Sequence, residues 1–171
     1  MNIIITMAGL GSRFRKAGYE MPKYMIKARG KTLFEWSMDS LLGYNGHVSK
    51  YVFVVRREDG AADFIREQSR RYGIQQVEVV EIDHMTDGQA TTCMLAIPFC
   101  NPEESVLIYN IDTYVEPYEM KYEDLAGDGH IPCFHAKGDH WSFARLDAEG
   151  RVTEVREKVR ISDNCTLGAY Y

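Results

Sequence analysis

Apolar positions cluster into four short segments within the first 110 residues, and these segments predict β-strands. Each is enriched in β-branched or aromatic side chains, a composition typical of strands that are covered on both faces of a parallel sheet. They lie at residues 2–7, 50–55, 76–82 and 105–109. The first is followed directly by a glycine-containing stretch, which indicates a tight turn at the end of that strand.

Apolar positions at helical spacing separate these strands. In residues 32–42, Thr32 is a candidate N-cap and Glu35 completes a capping box three residues later. Two further stripes predict helices at residues 58–72 and 89–97. Strands that alternate with helices predict a mainly parallel sheet with helices packed on its faces.

The pattern changes after Asp112. Short strand-like segments at residues 131–135, 142–146 and 151–157 are separated by turns that contain glycine. The second half is therefore expected to be rich in sheet and partly antiparallel. Without a linker, an internal repeat or a low-complexity stretch, residues 1–171 are expected to form a single α/β domain.

Composition and charge exclude several classes of protein. The amino-acid usage is that of soluble globular proteins, no run approaches the roughly 18 apolar residues of a membrane span, and no signal peptide is evident, so a cytoplasmic location is expected. The net charge of −5 argues against a nucleic-acid partner. The four cysteines lack metal-site spacing and are interpreted as free thiols.

Basic side chains are nevertheless concentrated near the start of the chain. Residues 1–31 contain seven of them against one acidic residue, Glu20. This segment is either a site for a polyanion or a solvated basic face, and charge counting leaves both interpretations open.

The glycine-rich stretch from Met7 to Arg13 favours the polyanion. Backbone amides around Gly9 and Gly11 are not shielded by β-carbons, so they can form an anion cradle at the end of the first strand. Arg13 adds a planar fork of donors, and Lys23 follows the rigid Pro22 as a compact positive charge. The pattern predicts a binding site for a triphosphate.

Two common phosphate motifs do not match these residues. The dinucleotide fingerprint requires a third glycine where Phe14 stands. The tripeptide Gly30-Lys31-Thr32 imitates the end of a P-loop, but Met25 occupies the position of the leading glycine.

The stretch from Met7 to Arg13, together with Pro22-Lys23, resembles the signature of sugar-1-phosphate nucleotidylyltransferases and of cytidylyltransferases of the phosphocholine type. The resemblance continues along nearly the whole chain, in the order expected for that family. It includes residues 26–36, Asp87-Gly-Gln-Ala90, Asn110-Ile-Asp112 and Glu157-Lys158.

The resemblance implies a Rossmann-like nucleotide-diphospho-sugar transferase fold and a definite reaction. A nucleoside triphosphate would donate its nucleoside monophosphate to a phosphorylated sugar or similar small phosphate ester, releasing pyrophosphate, for capsule or surface polysaccharide synthesis. By the same resemblance, Asp112 is a ligand of Mg²⁺, and the other roles are catalysis (Arg13, Lys23), nucleotide binding (Ala8, Gly9, Gly11, Ser12, Gly88, Gln89) and acceptor binding (Glu157, Lys158).

Members of this family continue past a strand similar to residues 166–171 and supply a second metal-binding aspartate there, so the resemblance implies a domain that is incomplete at its C-terminus. Two other functions stay open: a nucleotide-sugar-dependent glycosyltransferase of the related fold, and a non-catalytic nucleotide-binding domain. Singly, Asp112 is equally well a turn former, Gln89 a helix cap and the 157–158 pair an exposed strand edge. The order of the motifs together favours the nucleotidyltransferase.

Overall fold

The computed structural model describes residues 1–171, which form eleven strands and four α-helices. In chain order the strands are β1 (Asn2–Thr6), β2 (Lys27–Ala28), β3 (Lys31–Thr32), β4 (Lys50–Arg56), β5 (Val77–Ile82), β6 (Val106–Asn110), β7 (Cys133–His135), β8 (Ser142–Leu146), β9 (Val152–Glu157), β10 (Asn164–Thr166) and β11 (Ala169–Tyr170). The helices are α1 (Ser12–Lys16), α2 (Leu33–Asp39), α3 (Ala62–Arg71) and α4 (Gln89–Ala96).

The first sheet contains five strands in the order β11-β6-β1-β4-β5. β1 lies at its centre and pairs in parallel with β4 on one side and β6 on the other, so that Asn2 is opposite both Lys50 and Val106. β5 continues the parallel arrangement, whereas β11 is antiparallel to β6. The four predicted strands and their parallel arrangement are confirmed.

The second sheet is antiparallel, with strand order β7-β10-β8-β9, and confirms the prediction for the second half of the chain. The last segment contributes to both sheets: β10 belongs to the second and β11 to the first. Gly168, at φ 79°, lies between them. This left-handed conformation favours glycine and breaks the segment into two short strands.

The predicted capping box at the start of α2 is present. Thr32 Oγ1 accepts a hydrogen bond from the Glu35 amide at 3.1 Å, and the Glu35 carboxylate accepts one from the Thr32 amide at 2.7 Å. The prediction of a helix over residues 58–72 was wrong at the start of the helix. Residues 57–59 form a 3₁₀ turn, and Gly60, at φ 57°, separates that turn from α3.

The core covers both faces of the first sheet. Ile3 and Ile5 of β1 face α2 and α3, while Ile4 faces α4, and all three side chains are fully buried. Each buried aliphatic side chain of this size contributes about 1.5–3 kcal/mol. No helix is both long and apolar enough to cross a membrane. Because helices occupy the faces of the sheet, its carboxyl edge is left for the loops that carry chemistry.

Candidate active site

The loops that follow β1 and β6 meet the loop before α4 at the carboxyl edge of the first sheet. They enclose a cavity of about 320 Å³. Six of the residues expected from the sequence to form the site line it: Ala8, Gly9, Lys23, Gly88, Gln89 and Asp112. Residues separated by more than a hundred positions in the chain are therefore brought to one place.

The turn after β1 presents a continuous row of free backbone donors. The amides of Met7 and Phe14 donate to the carbonyls of Val54 and Gly11, but the six amides between them, at residues 8–13, donate to no acceptor in the protein. Gly11 has the left-handed conformation, at φ 59°, which turns the chain into α1. Successive unpaired amides on an exposed turn suit an anion.

Lys23 lies against this glycine-rich turn. A β-carbon added to Gly11 would lie 3.5 Å from Lys23 Cβ, and one added to Gly9 would lie 3.8 Å from Lys23 Nζ. The lysine stem therefore runs along the turn. Its Nζ donates to Asp112 Oδ2 at 2.7 Å, with the lysine side chain 15% exposed and the aspartate 53% exposed. The turn with the free amides thus has a positive charge near Gly9, held by a carboxylate.

Asn110 organises the polar side of the cavity, a role that sequence reasoning missed. Its Oδ1 accepts hydrogen bonds from Thr6 Oγ1 and from Gln89 Nε2, each at 2.9 Å. Gln89 is thereby held toward β6, and its carbonyl oxygen has no protein partner. The available signal was a polar residue that ends a buried strand two positions before Asp112.

Other residues expected at the site are not among those that line the cavity. Ser12 and Arg13 are exposed on α1, and the Arg13 side chain makes no hydrogen bond or ion pair. Gly11 contacts Lys23 without lining the cavity. Glu157 and Lys158, at the end of β9 in the second sheet, are exposed and pair with each other at 2.6 Å. The roles expected for these residues stay predictions.

A second cavity, of about 450 Å³, adjoins the first at the ends of β4 and β5. Leu10 of the glycine-rich turn, Ile82 and Asp83 line it, and Met85 lines both cavities. A hydrogen bond from His84, at 3.0 Å, is the main reason that the pKa of Asp83 is lowered from its ordinary value. The two cavities together suit an elongated ligand with an anionic part over the amides and an apolar part beside Leu10.

The donor set at this edge suits a metal ion best together with an anionic ligand, because it offers a single carboxylate. No group of three or more His, Cys, Asp or Glu side chains is arranged to hold a metal. Asp112 alone offers a carboxylate here, with Oδ2 engaged by Lys23. Mg²⁺ ordinarily keeps several waters and binds through one or two carboxylates plus substrate phosphates, which is compatible with a single protein ligand.

Comparison with solved structures finds proteins of the same fold. The chain is 37% identical to a nucleoside-diphosphate-sugar pyrophosphorylase from Vibrio cholerae, with a TM-score of 0.87 over 99% of this chain and 72% of that one. An inositol-1-phosphate CTP transferase from T. maritima, at 19% identity, shares the fold with a TM-score of 0.81 over 99% of this chain and 69% of that one. No protein-family model and no curated protein matches the chain. The nucleotide-diphospho-sugar transferase fold expected from the sequence is confirmed.

Proposed function

The chain belongs to the nucleoside-diphosphate-sugar pyrophosphorylase family, and we propose that it transfers a nucleoside monophosphate from a nucleoside triphosphate to a phosphorylated sugar or similar small phosphate ester. One observation carries the proposal. The turn with six free amides, at residues 8–13, runs along the Lys23 side chain, whose ammonium lies near Gly9 at a cavity that also contains Asp112. Such a row of donors with an adjacent cation is suited to a polyphosphate.

In the proposed reaction, a phosphate oxygen of the acceptor attacks the α-phosphorus of the triphosphate. The bond between that phosphorus and the bridging oxygen breaks, and pyrophosphate leaves with the bonding electrons. The amides of residues 8–13 and Lys23 stabilise the negative charge that accumulates on the leaving group. Lys23 exchanges its contact with Asp112 for contacts with the arriving phosphates, and Arg13 adds a second cation from α1.

Asp112 would hold Mg²⁺ in this site, together with oxygens of the triphosphate. When bound, the ion would withdraw charge from the phosphate oxygens during displacement. The protein's own contribution is the position of the carboxylate, because the end of β6 places Asp112 at the edge of the cavity beside Lys23.

The nucleoside is assigned to the side of the site that contains Gly88 and Gln89. The free carbonyl oxygen of Gln89 can accept a hydrogen bond from a base, and the apolar surface around Leu10 provides a place for a ring to pack. Glu157 and Lys158 are assigned to the acceptor on the sequence resemblance. Use of the product in capsule or surface polysaccharide synthesis rests on the same resemblance.

Pyrophosphate release tests the proposal. The purified protein is incubated with each of the common nucleoside triphosphates against a panel of sugar 1-phosphates and small phosphate esters, with Mg²⁺ present. Release that depends on both substrates, and that Lys23→Met abolishes, supports nucleotidyl transfer. Transfer of sugar from a nucleotide sugar would instead identify a glycosyltransferase. Tight nucleotide binding without release would identify a binding domain.

A further inference from the structure

A buried polar network lies beside the short turn that carries Lys23, at the carboxyl end of β4. Arg56 Nη2 donates to Asp59 Oδ1 at 2.5 Å, and both side chains are almost fully buried, at 6% and 4% exposure. Tyr24, the residue after Lys23, is 1% exposed, and its hydroxyl donates to Asp59 Oδ2 at 3.2 Å. Burial and Asp59 raise the pKa of Tyr24, so the phenol keeps its proton and remains a donor.

The stability of the fold does not by itself explain this arrangement. Taking two charges out of water carries a desolvation penalty that largely offsets their attraction, and apolar side chains of similar volume stabilise a core equally well. Polar networks differ from apolar packing in their fixed direction, because each hydrogen bond requires a defined placement of donor and acceptor. The network is therefore suited to fixing the position of the chain segment that it contacts.

The network holds the short turn that carries Lys23. Residues 23–25 form a single 3₁₀ turn after an exposed stretch, and the Tyr24 ring packs against Phe64 of α3 with centroids 6.4 Å apart. The Tyr24 hydroxyl then ties this turn to Asp59, and through it to Arg56, the last residue of β4. Beyond the turn, Lys23 has one side-chain partner, Asp112.

We propose that Tyr24, Asp59 and Arg56 are positioning residues that hold the Lys23 ammonium over the glycine-rich turn. The proposal rests on the proposed function for its catalytic consequence, but the geometric claim concerns this chain alone. Loss of the Tyr24 hydroxyl releases the turn from β4, and Lys23 then samples positions away from Asp112 and from the free amides.

Tyr24→Phe tests the proposal, with Tyr72→Phe as its matched control. The Tyr72 hydroxyl also hydrogen-bonds a carboxylate, Asp39 Oδ1 at 2.7 Å, but it is not part of the network of Tyr24, Asp59 and Arg56. Brief labelling of amines in the folded proteins is quantified at Lys23 by peptide mass spectrometry, with Lys23→Met as the blank. Labelling should rise about threefold or more in Tyr24→Phe, and kcat/KM should fall about tenfold, as expected for one hydrogen bond to a charged group.

The two readouts separate the two proposals. Increased labelling of Lys23 in Tyr24→Phe but not in Tyr72→Phe supports the positioning role. If the wild-type protein then shows no activity, only the proposed function is contradicted. Unchanged labelling in folded Tyr24→Phe overturns the positioning role. An equal change in both variants also overturns it, because the effect would then follow general destabilisation. Asp59→Asn, which removes the charge that Tyr24 contacts, should shift both readouts in the same direction.

Discussion

Lys23→Met should change the binding of metal and of nucleotide in opposite directions. The Lys23 ammonium occupies Asp112 Oδ2 at 2.7 Å, so a divalent cation must compete with it for that carboxylate. A partly exposed ion pair of this kind contributes about 1 kcal/mol, so removing the lysine should tighten binding of the metal alone about fivefold. A charge-assisted hydrogen bond is worth about 1.5–3 kcal/mol, so the triphosphate should bind about 10 to 150 times more weakly.

Both affinities are accessible to measurement on the same protein. Mn²⁺, used as a paramagnetic substitute for Mg²⁺, is titrated without nucleotide, and a triphosphate is titrated by calorimetry with chelator present. Lys137→Met is the matched control, because it makes the same change in net charge at an exposed position in the loop after β7. If Lys23→Met left metal affinity unchanged or weakened it, or left triphosphate affinity equal to that of the control, the role assigned to the ion pair would be refuted.

Three further outcomes are expected. Arg13→Ala should weaken triphosphate binding by about one to two powers of ten in calorimetry, and unchanged affinity would remove Arg13 from the site. Asp112→Asn should lower turnover about a hundredfold or more. The urea midpoint should stay nearly unchanged, because a half-exposed carboxylate contributes little to the core. A large loss of stability would contradict this prediction. Burial, with a smaller effect of Asp124, raises the pKa of Tyr44 from 10.0 to about 12. As the pH rises, the Tyr44 phenol therefore ionises first in the unfolded chain, so the free energy of unfolding should fall between about pH 10 and 12. Tyr44→Phe should reduce that loss. Equal urea midpoints for wild type and variant across this range would contradict the prediction.

Local signals were sufficient to predict most of the fold. The run Ile3–Ile5 is apolar at every position because helices cover both faces of β1. The Thr32 and Glu35 capping box is equally local, since both partners belong to one turn of chain. The start of α3 was predicted wrongly because Gly60 adopts a left-handed conformation after a 3₁₀ turn. The spacing of apolar residues alone does not indicate this break.

The site was predictable only as far as its residues belong to motifs. Gly9, Lys23 and Asp112 converge because parallel strands end at the same edge of the sheet. The contacts of Asn110, by contrast, join β1, β6 and α4, and those of Tyr24 join a short turn to the end of β4. Such contacts depend on how the helices and strands pack against one another, so they cannot be predicted from residue type and spacing alone.

The central position of β1 also affects how the protein emerges during synthesis. β1 is made first, but the register pairs Asn2 with Lys50 and with Val106. At about 5–20 residues per second, roughly 5 to 20 seconds pass between translation of β1 and of β6. Until then, one edge of a strand that contains three consecutive isoleucines has no partner, which makes the nascent chain prone to aggregation during that interval.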